Sequence, residues 1–435
     1  MASVTFTVLG VCLALILVVL FKPSITIKKH EISIYWAVVL VGAVLMVIFG
    51  FLSPSEILSG LTEDSAINPL KILVLFISMT ELSIFLDEVG LFSALAVMAV
   101  QRAKTSQRSL FFYLFAMVSI LTVFTSNDII ILTFTPFICY FSKNAKINPI
   151  PYLFTEFVAA NTWSMMFIIG NPTNIYLATS AGIGFGGYFA IMWLPTFFAG
   201  LCALLILYLI FRKDLDAPMK ASVSTVRIND PFLLLLGLIH LTGCTICLVI
   251  SSYIGLEMYK VTFGFFLSLC FFVIVHQTIH KHSNHEMLRT IKRAPFELIP
   301  FVLSMFVLVL ALDKYHVTDS IANLLGSKQV ILRYGLSSFL TANVINNIPM
   351  SVLFCSVCDN LDKALMSKGL FASIIGSNIG AFFTPLGALA GIMWSSILKK
   401  HEVKFSFLTY IRYGVVISVP VLLTALFGLF IRFLF

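Results

Sequence analysis

Four polar interruptions fall inside hydrophobic stretches of this 435-residue chain, at positions where their side chains could do chemistry. Ser126, Asn127 and Asp128, with Thr133, Thr135 and Pro136, form the first knot; Asn343, Asn346 and Asn347, with Pro349, form the second. Each knot is followed by a further break, Gly170-Asn171-Pro172-Thr173-Asn174 after the first and Ser377-Asn378 with Gly380, Thr384 and Pro385 after the second. Amides both donate and accept hydrogen bonds, and hydroxyls do the same. Asn127, Asn171, Asn174, Asn343, Asn346, Asn347 and Asn378, with Ser126, Thr173 and Thr384, therefore suit a neutral trihydroxy solute, an oxyanion, or Na+ held by oxygens. They could also serve only to satisfy unwound backbone. Asp128 is the single carboxylate in these four places. At the tip of an intramembrane hairpin it is costly to ionise, which suits a group that takes and releases a proton. A cap on the following helix is its alternative role.

Other candidates are less specific. Glu81 falls near the middle of a hydrophobic span, as a second proton carrier or a partner for a nearby polar group. Asp87-Glu88 is expected at a cytoplasmic helix end, pairing with Arg102 or helix termini, and Glu156 near a first helical turn, where the helix dipole favours it. Cys244-x-x-Cys247 and Cys355-x-x-Cys358 each place two sulfurs on one helix face, where small packing residues are the simpler account. His276, His280, His282 and His285 have metal-like spacing but read as a solvated loop. Gly182-x-Gly184-x-Gly186-Gly187 lacks the Lys-Ser/Thr of a phosphate-binding loop, so no ATP-binding motif is seen and the chain reads as a transporter rather than an enzyme.

The elements that must hold these residues follow from composition. The chain is 59% hydrophobic and 11% charged, with a mean hydropathy of +1.02, which reads as an all-α polytopic membrane protein. Ala2 to Phe21 lacks a basic leader and is expected to be a retained helix rather than a signal peptide. The net charge of +8 comes from loops, with no need for nucleic acid. Lys and Arg cluster at 22–29, 102–108, 143–146, 212–227, 281–293 and 399–404, whereas 53–69, 182–187 and 253–259 have none. The positive-inside rule places the basic loops in the cytoplasm and the N-terminus outside. Lys314, Lys328 and Arg333 run against this pattern.

About 34 residues between Arg108 and Lys143, polar at their centre, leave no room for an outer loop and predict a hairpin entering from the cytoplasm. The second knot then lies on a hairpin entering from the opposite face. The reading is two inverted repeats. An N-terminal half, 1–211, carries a hairpin at about 109–142 and a broken helix at about 150–181. A linker occupies 212–230. A C-terminal half, 231–435, carries a hairpin at about 334–358 and a broken helix at about 366–398. Helices at about 2–21, 34–52, 231–252 and 256–276 are expected to be peripheral scaffold.

Several motifs resemble the arsenical pump membrane protein family, within the ion transporter superfamily that also holds sodium/proton antiporters and dicarboxylate carriers. Asn127-Asp128-x-x-x-Leu132-x-x-Thr135-Pro136 resembles its first hairpin, Leu86-Asp87-Glu88-Val89-Gly90-Leu91-Phe92 its Leu-Asp-Glu-x-Gly-Phe-Phe segment, and Asn346-Asn347-Ile348-Pro349 its second hairpin. Thr384-Pro385-Leu386-Gly387-Ala388-Leu389-Ala390 with Trp394 is similar to its Thr-Pro-Ile-Gly-Ser-Leu-Ala motif and following Trp. The resemblance implies the ion transporter fold and proton-coupled efflux of arsenite or a related metalloid across the cytoplasmic membrane, with Asp128 and Glu81 as proton-coupling candidates. It also leaves room for a soluble ATPase subunit and a homodimer. No cofactor beyond H+ or Na+ is expected. Three departures concern substrate choice. The Gly170-Asn174 break is closer to sodium/proton and anion carriers, Asn161 stands where the pumps show Asp, and Ser377-Asn378-Ile379 where they show Cys-Asp-Leu. A sodium/proton antiporter or a dicarboxylate or citrate-like carrier on the same fold is the alternative.

Overall fold

The computed structural model describes residues 1–435 except 22–23, 28–29, 65–67, 220–227, 229 and 281–284. Lys22, Lys28, Lys29, Lys220, Arg227, Lys281 and His282, cited above for charge or spacing, lie outside the described residues. The chain is almost wholly helical. Among the described residues, eight helices are long and apolar enough to cross a membrane, so this is a multi-pass membrane protein. Large apolar side chains such as Leu205, Phe271 and Leu423 stand exposed along these helices, as expected of surfaces that face lipid.

The leading part comprises α1 (Ala2–Phe21), α2 (Tyr35–Ile48) and the short α3 (Pro54–Thr62). Between α1 and α2 an antiparallel ribbon pairs β1 (Ser24–Ile27) with β2 (His30–Ser33), Ile25 opposite Ile32. The sequence reading had only a basic loop there. The first half continues with α4 (Pro69–Glu88), α5 (Leu91–Ala103), a hairpin of α6 (Gln107–Phe124) and α7 (Asn127–Ala145), a helix broken into α8 (Ile150–Trp163) and α9 (Pro172–Ser180), and α10 (Phe185–Phe211). After α11 (Pro231–Ile254), α12 (Met258–Ile279) and the short α13 (His285–Arg293), the same order returns. It runs α14 (Leu298–Lys314), α15 (Val317–Leu325), a hairpin of α16 (Val330–Ile345) and α17 (Asn347–Asp359), α18 (Lys363–Gly380) broken from α19 (Leu389–Lys400), and α20 (Phe407–Arg432).

Helix starts follow local chemistry. Ser53-Pro54, Asn68-Pro69, Asn171-Pro172 and Asp230-Pro231 each combine a capping side chain with a proline whose missing N–H costs nothing at the first position. The halves interlock: α2 packs on α14 and α12 on α4, so the helices preceding each half cover the other half's leading helix.

Ion pairs divide between the two ends of the bundle. At one end Lys314 pairs with Glu56 at 2.6 Å, and Lys71 bridges Asp64 and Glu257. The hydrogen bond from Lys314, then those from Ser53, hold the Glu56 carboxyl down at about 2. This depressed value means the pair is complete above the usual carboxylate range and is lost only as pH falls toward 2. At the other end Arg108 pairs with Asp216, and Arg293 with Asp87 (2.7 Å) and Glu88 (2.6 Å). These pairs link only loops that the charge pattern assigns to the same side. Lys314, which ran against that pattern, is neutralised by Glu56. Arg102 is not the partner of Asp87-Glu88; Arg293 is, because α13 packs on α4 and carries its guanidinium to that helix's end.

A close helix crossing joins α16 to α18. A Cβ on Gly376 would lie 2.1 Å from Ser338 Oγ and 2.5 Å from Gly335 O. Gly376→Ala should force these helices apart and cost about 1–3 kcal/mol. A lowered thermal unfolding midpoint in detergent would register that cost; an unchanged midpoint would mean the crossing is loose.

Candidate functional site

A helix that ends within the bilayer leaves backbone N–H and C=O groups that no water can satisfy, so the four interruptions must supply partners from side chains. In the first hairpin α6 ends at Phe124, the chain turns through Thr125 and Ser126, and α7 begins at Asn127. Ser126 and Asn127 are buried. In the second hairpin α16 passes to α17 through Asn346 alone, at φ 74° and ψ 156°, a positive-φ conformation that side-chain-bearing residues rarely adopt. Asn346 Nδ2 donates to Leu386 O at 3.2 Å, fastening that tip to the second break.

A connected amide network joins the first tip to both breaks. Asn127 Nδ2 donates to Asn161 Oδ1 (2.9 Å), and Asn161 Nδ2 donates to Phe157 O (2.8 Å). Ser164 Oγ donates to Asn378 Oδ1 at 2.9 Å, and Asn171 Nδ2 to the same oxygen at 3.1 Å. Asn378 Nδ2 in turn donates to Asn174 Oδ1 (2.7 Å) and Ile374 O (2.9 Å). Asn174 Nδ2 donates to Ser164 O, and Asn171 Oδ1 accepts from the N–H and hydroxyl of Thr173. Asn378, in the second half, thus closes the break of the first. Within the second half, Asn343 Nδ2 donates to Phe339 O and Gly380 O, while its Oδ1 accepts from Thr384 N (3.1 Å) and Thr384 Oγ1 (2.6 Å).

The direction of each bond is set by backbone. Carbonyls such as Phe157 O and Ile374 O only accept, so the amide facing each must present its nitrogen, and that choice propagates along the chain of amides. The consequence is that most amide nitrogens of the network are turned toward protein oxygens. Among the described residues, Asn127 Oδ1, Asn347 Oδ1, Ser126 Oγ and Ser377 Oγ are buried with no partner. Unmade hydrogen bonds of this kind are costly, and a ligand offering hydroxyls or positive charge would complete them.

The remaining candidates separate from this layer. Asp128 is half-buried in the first turn of α7. No side chain caps α7, so the capping role is not taken. Asp128 instead stands in electrostatic reach of the Tyr35 phenol, which also faces Glu297. Glu81 is 2% exposed, its Oε2 without a partner among the described residues, and it faces Cys270 in the α4–α12 contact. Glu156 is not in a first helical turn; α8 starts at Ile150, so its carboxyl points into the core, where Thr135 Oγ1 lies 3.1 Å from both oxygens. Thr133 donates to Asp87 Oδ2 at 2.9 Å.

Of the histidine run, His276 is not in a loop. His276 ends α12, bonded to Asp230 at 3.0 Å and stacked on Phe232. No His, Cys, Asp and Glu group among the described residues is arranged to hold a metal. Cys355 and Cys358 are buried packing residues, Cys355 donating to Tyr176 O. A cavity of about 270 Å³ lies elsewhere, between Lys71, Thr179, Glu257 and Tyr259. Sequence reasoning missed Ser164, named Asn161 only as a departure from the pumps, and named Ser377 in the second break without a binding role. For Asn161 spacing was the available signal: it sits two residues before the end of α8, as Asn378 does in α18.

Two substitutions separate scaffold from ligand contact. Asn378→Ala removes a four-bond junction and should cost about 3 kcal/mol by stranding buried partners. Asn347→Ala, which removes an unpartnered oxygen, should leave the unfolding midpoint nearly unchanged yet abolish stabilisation by ligand. Thermal unfolding with and without ligand distinguishes these outcomes.

Comparison with known proteins agrees with this architecture. The arsenical pump membrane protein of Escherichia coli K12 is 26% identical over 97% of both chains, and that of Yersinia enterocolitica is 25% identical over 82% of this chain and 85% of its own. The solved Alcanivorax borkumensis YdaH transporter shares the fold, with a TM-score of 0.55 over 99% of this chain and 98% of its own at 14% identity. The CitMHS family, described as citrate transporter, matches residues 15–368. The chain therefore belongs to the CitMHS family and is a membrane transporter with the ion transporter fold.

Proposed function

We propose that this chain is a secondary transporter that exports a small neutral trihydroxy solute of the arsenite class in exchange for protons. One observation carries the reading: the buried groups left without a partner at the hairpin tips and second break are the amide oxygens of Asn127 and Asn347 and the hydroxyls of Ser126 and Ser377, while most amide nitrogens there already donate to protein oxygens. A solute such as As(OH)3 donates three hydroxyl hydrogens and leaves no bare charge in a low-dielectric layer. A citrate-like anion would meet no Lys or Arg in the network described, and burying its charge against acceptor oxygens is unfavourable. The names of the pump relatives point the same way. Na+ would also suit acceptor oxygens, so sodium/proton exchange is the second reading.

Coupling is assigned to Asp128. It lies one residue beyond the acceptor Asn127, is half-buried, and faces Tyr35, so substrate and proton occupancy can influence each other through the same hairpin tip. Glu81, on α4, is the secondary candidate. The basic loops orient the protein in a cytoplasmic membrane with the N-terminus outside, the two hairpins entering from opposite faces. Alternating access then follows from movement of the hairpins and broken helices against the flanking helices.

The deciding experiment is flux in proteoliposomes with arsenite, antimonite, Na+ and citrate compared side by side, for the wild type and Asp128→Asn. Saturable arsenite flux that rises with the proton gradient, and a loss of at least about tenfold of that gradient dependence in Asp128→Asn, is expected. Flux supported only by Na+ or citrate would overturn the substrate assignment. Full pH-dependent flux in Asp128→Asn would overturn the coupling role.

A further inference from the structure

We propose that Glu156 is a second proton-binding site of the transport cycle, formed where the first hairpin, the first broken helix and the second half's α19 meet; this rests on the proton coupling proposed above. Glu156 is fully buried, and so is Thr135 of α7, whose hydroxyl lies 3.1 Å from both carboxyl oxygens. The Trp394 indole of α19 lies beside the same carboxyl. Trp394 is itself walled in by Phe154, Phe157, Phe405 and Tyr410. Water is therefore replaced by rings on one side and by a single hydroxyl on the other.

Among the described residues Glu156 forms no ion pair. Cys139 of α7 is the titratable neighbour that faces it. The charged groups of the packed helices lie elsewhere: Arg108 of α6 pairs with Asp216, Lys143 of α7 with Glu402, Lys368 of α18 lies over Phe433, and Lys363 is the first residue of α18. Asp128 lies at the other end of α7, α10 carries no charged residue, and Lys399 and Lys400 sit at the far end of α19. A bare carboxylate with one hydroxyl and one indole for company is far costlier here than a neutral acid. The closed junction thus favours a bound proton.

Its three walls belong to different elements. Thr135 rides on the hairpin arm, Glu156 on the first broken helix and Trp394 on the second. Any rearrangement that lifts α19 from α7 wets the carboxyl and releases the proton, and rebinding favours closure. That is linkage between protonation and conformation, with no contact to the carried solute required. A purely structural strut would need the hydrogen bonds but not the exchangeable proton, and glutamine supplies the former without the latter.

Proton movement per solute carried, read by a pH-sensitive dye inside proteoliposomes, tests this with whichever of arsenite, antimonite, Na+ and citrate the wild type transports. Glu156→Gln should move at least about tenfold fewer protons per solute and lose the pH dependence of flux. Wild-type stoichiometry and pH profile in Glu156→Gln would overturn the assignment and leave a strut. A wild type that moves no protons would overturn the coupling reading itself, and this site with it. Should Glu156→Gln fail to fold, Thr135→Val decides: a displaced pH midpoint of flux, restored by Thr135→Ser, supports the site, and an unmoved midpoint overturns it.

Discussion

Everything distinctive in this molecule follows from one constraint, that a backbone N–H or C=O inside hydrocarbon must find a partner within the protein. Two hairpin turns and two helix breaks violate helical self-sufficiency in the middle of the bundle. The asparagines are the response. Asn343 spans Phe339 O, Gly380 O and Thr384, and Asn174 ties the first break back to Ser164 O. The candidate ligand site is what this arrangement leaves unpaired, the Asn127 and Asn347 amide oxygens and the Ser126 and Ser377 hydroxyls.

This origin explains why the site is asymmetric although the halves repeat the same element order. Asn161 and Asn378 hold equivalent positions two residues before the ends of α8 and α18. Asn161 binds the hairpin of its own half, whereas Asn378 binds the break of the other. The cross-half junction makes the first break a dependent of the second half, so neither half completes its polar layer alone. Acidic groups are likewise unequal: Asp128 borders the first tip, and Glu156 fills the space between α7, α8 and α19, while the second hairpin tip is all amide. The acids proposed for coupling thus lie in the first half, whereas the amides proposed for recognition come from both.

Family membership and the geometry of the site bear on different questions. The CitMHS match and the fold shared with the YdaH transporter establish a membrane transporter of this architecture. Choice of solute depends on which polar atoms remain free, and relatives about a quarter identical can differ there while keeping every helix. The absence of Lys and Arg from the network is the physical ground on which an anion is disfavoured.

The sequence by itself determined the membrane class, the order of spans and the location of the polar breaks, because hydropathy and the Asx-Pro starts at Asn68, Asn171 and Asp230 are local signals. It also located the asparagines of the network, since amides are otherwise too costly in such stretches. What it could not determine was which amides meet, since the bonds of Asn378 to Ser164, Asn171 and Asn174 join residues about two hundred positions apart, and hence which polar groups are left unpaired. Tertiary packing also decided the partners of the acids. Asp87 and Glu88 meet Arg293 rather than Arg102 because α13 returns to α4, and Glu156 is buried rather than dipole-bound because α19, from the far half, lies against α7. Charge pairing and burial are properties of packed neighbours, and no local window of sequence contains them.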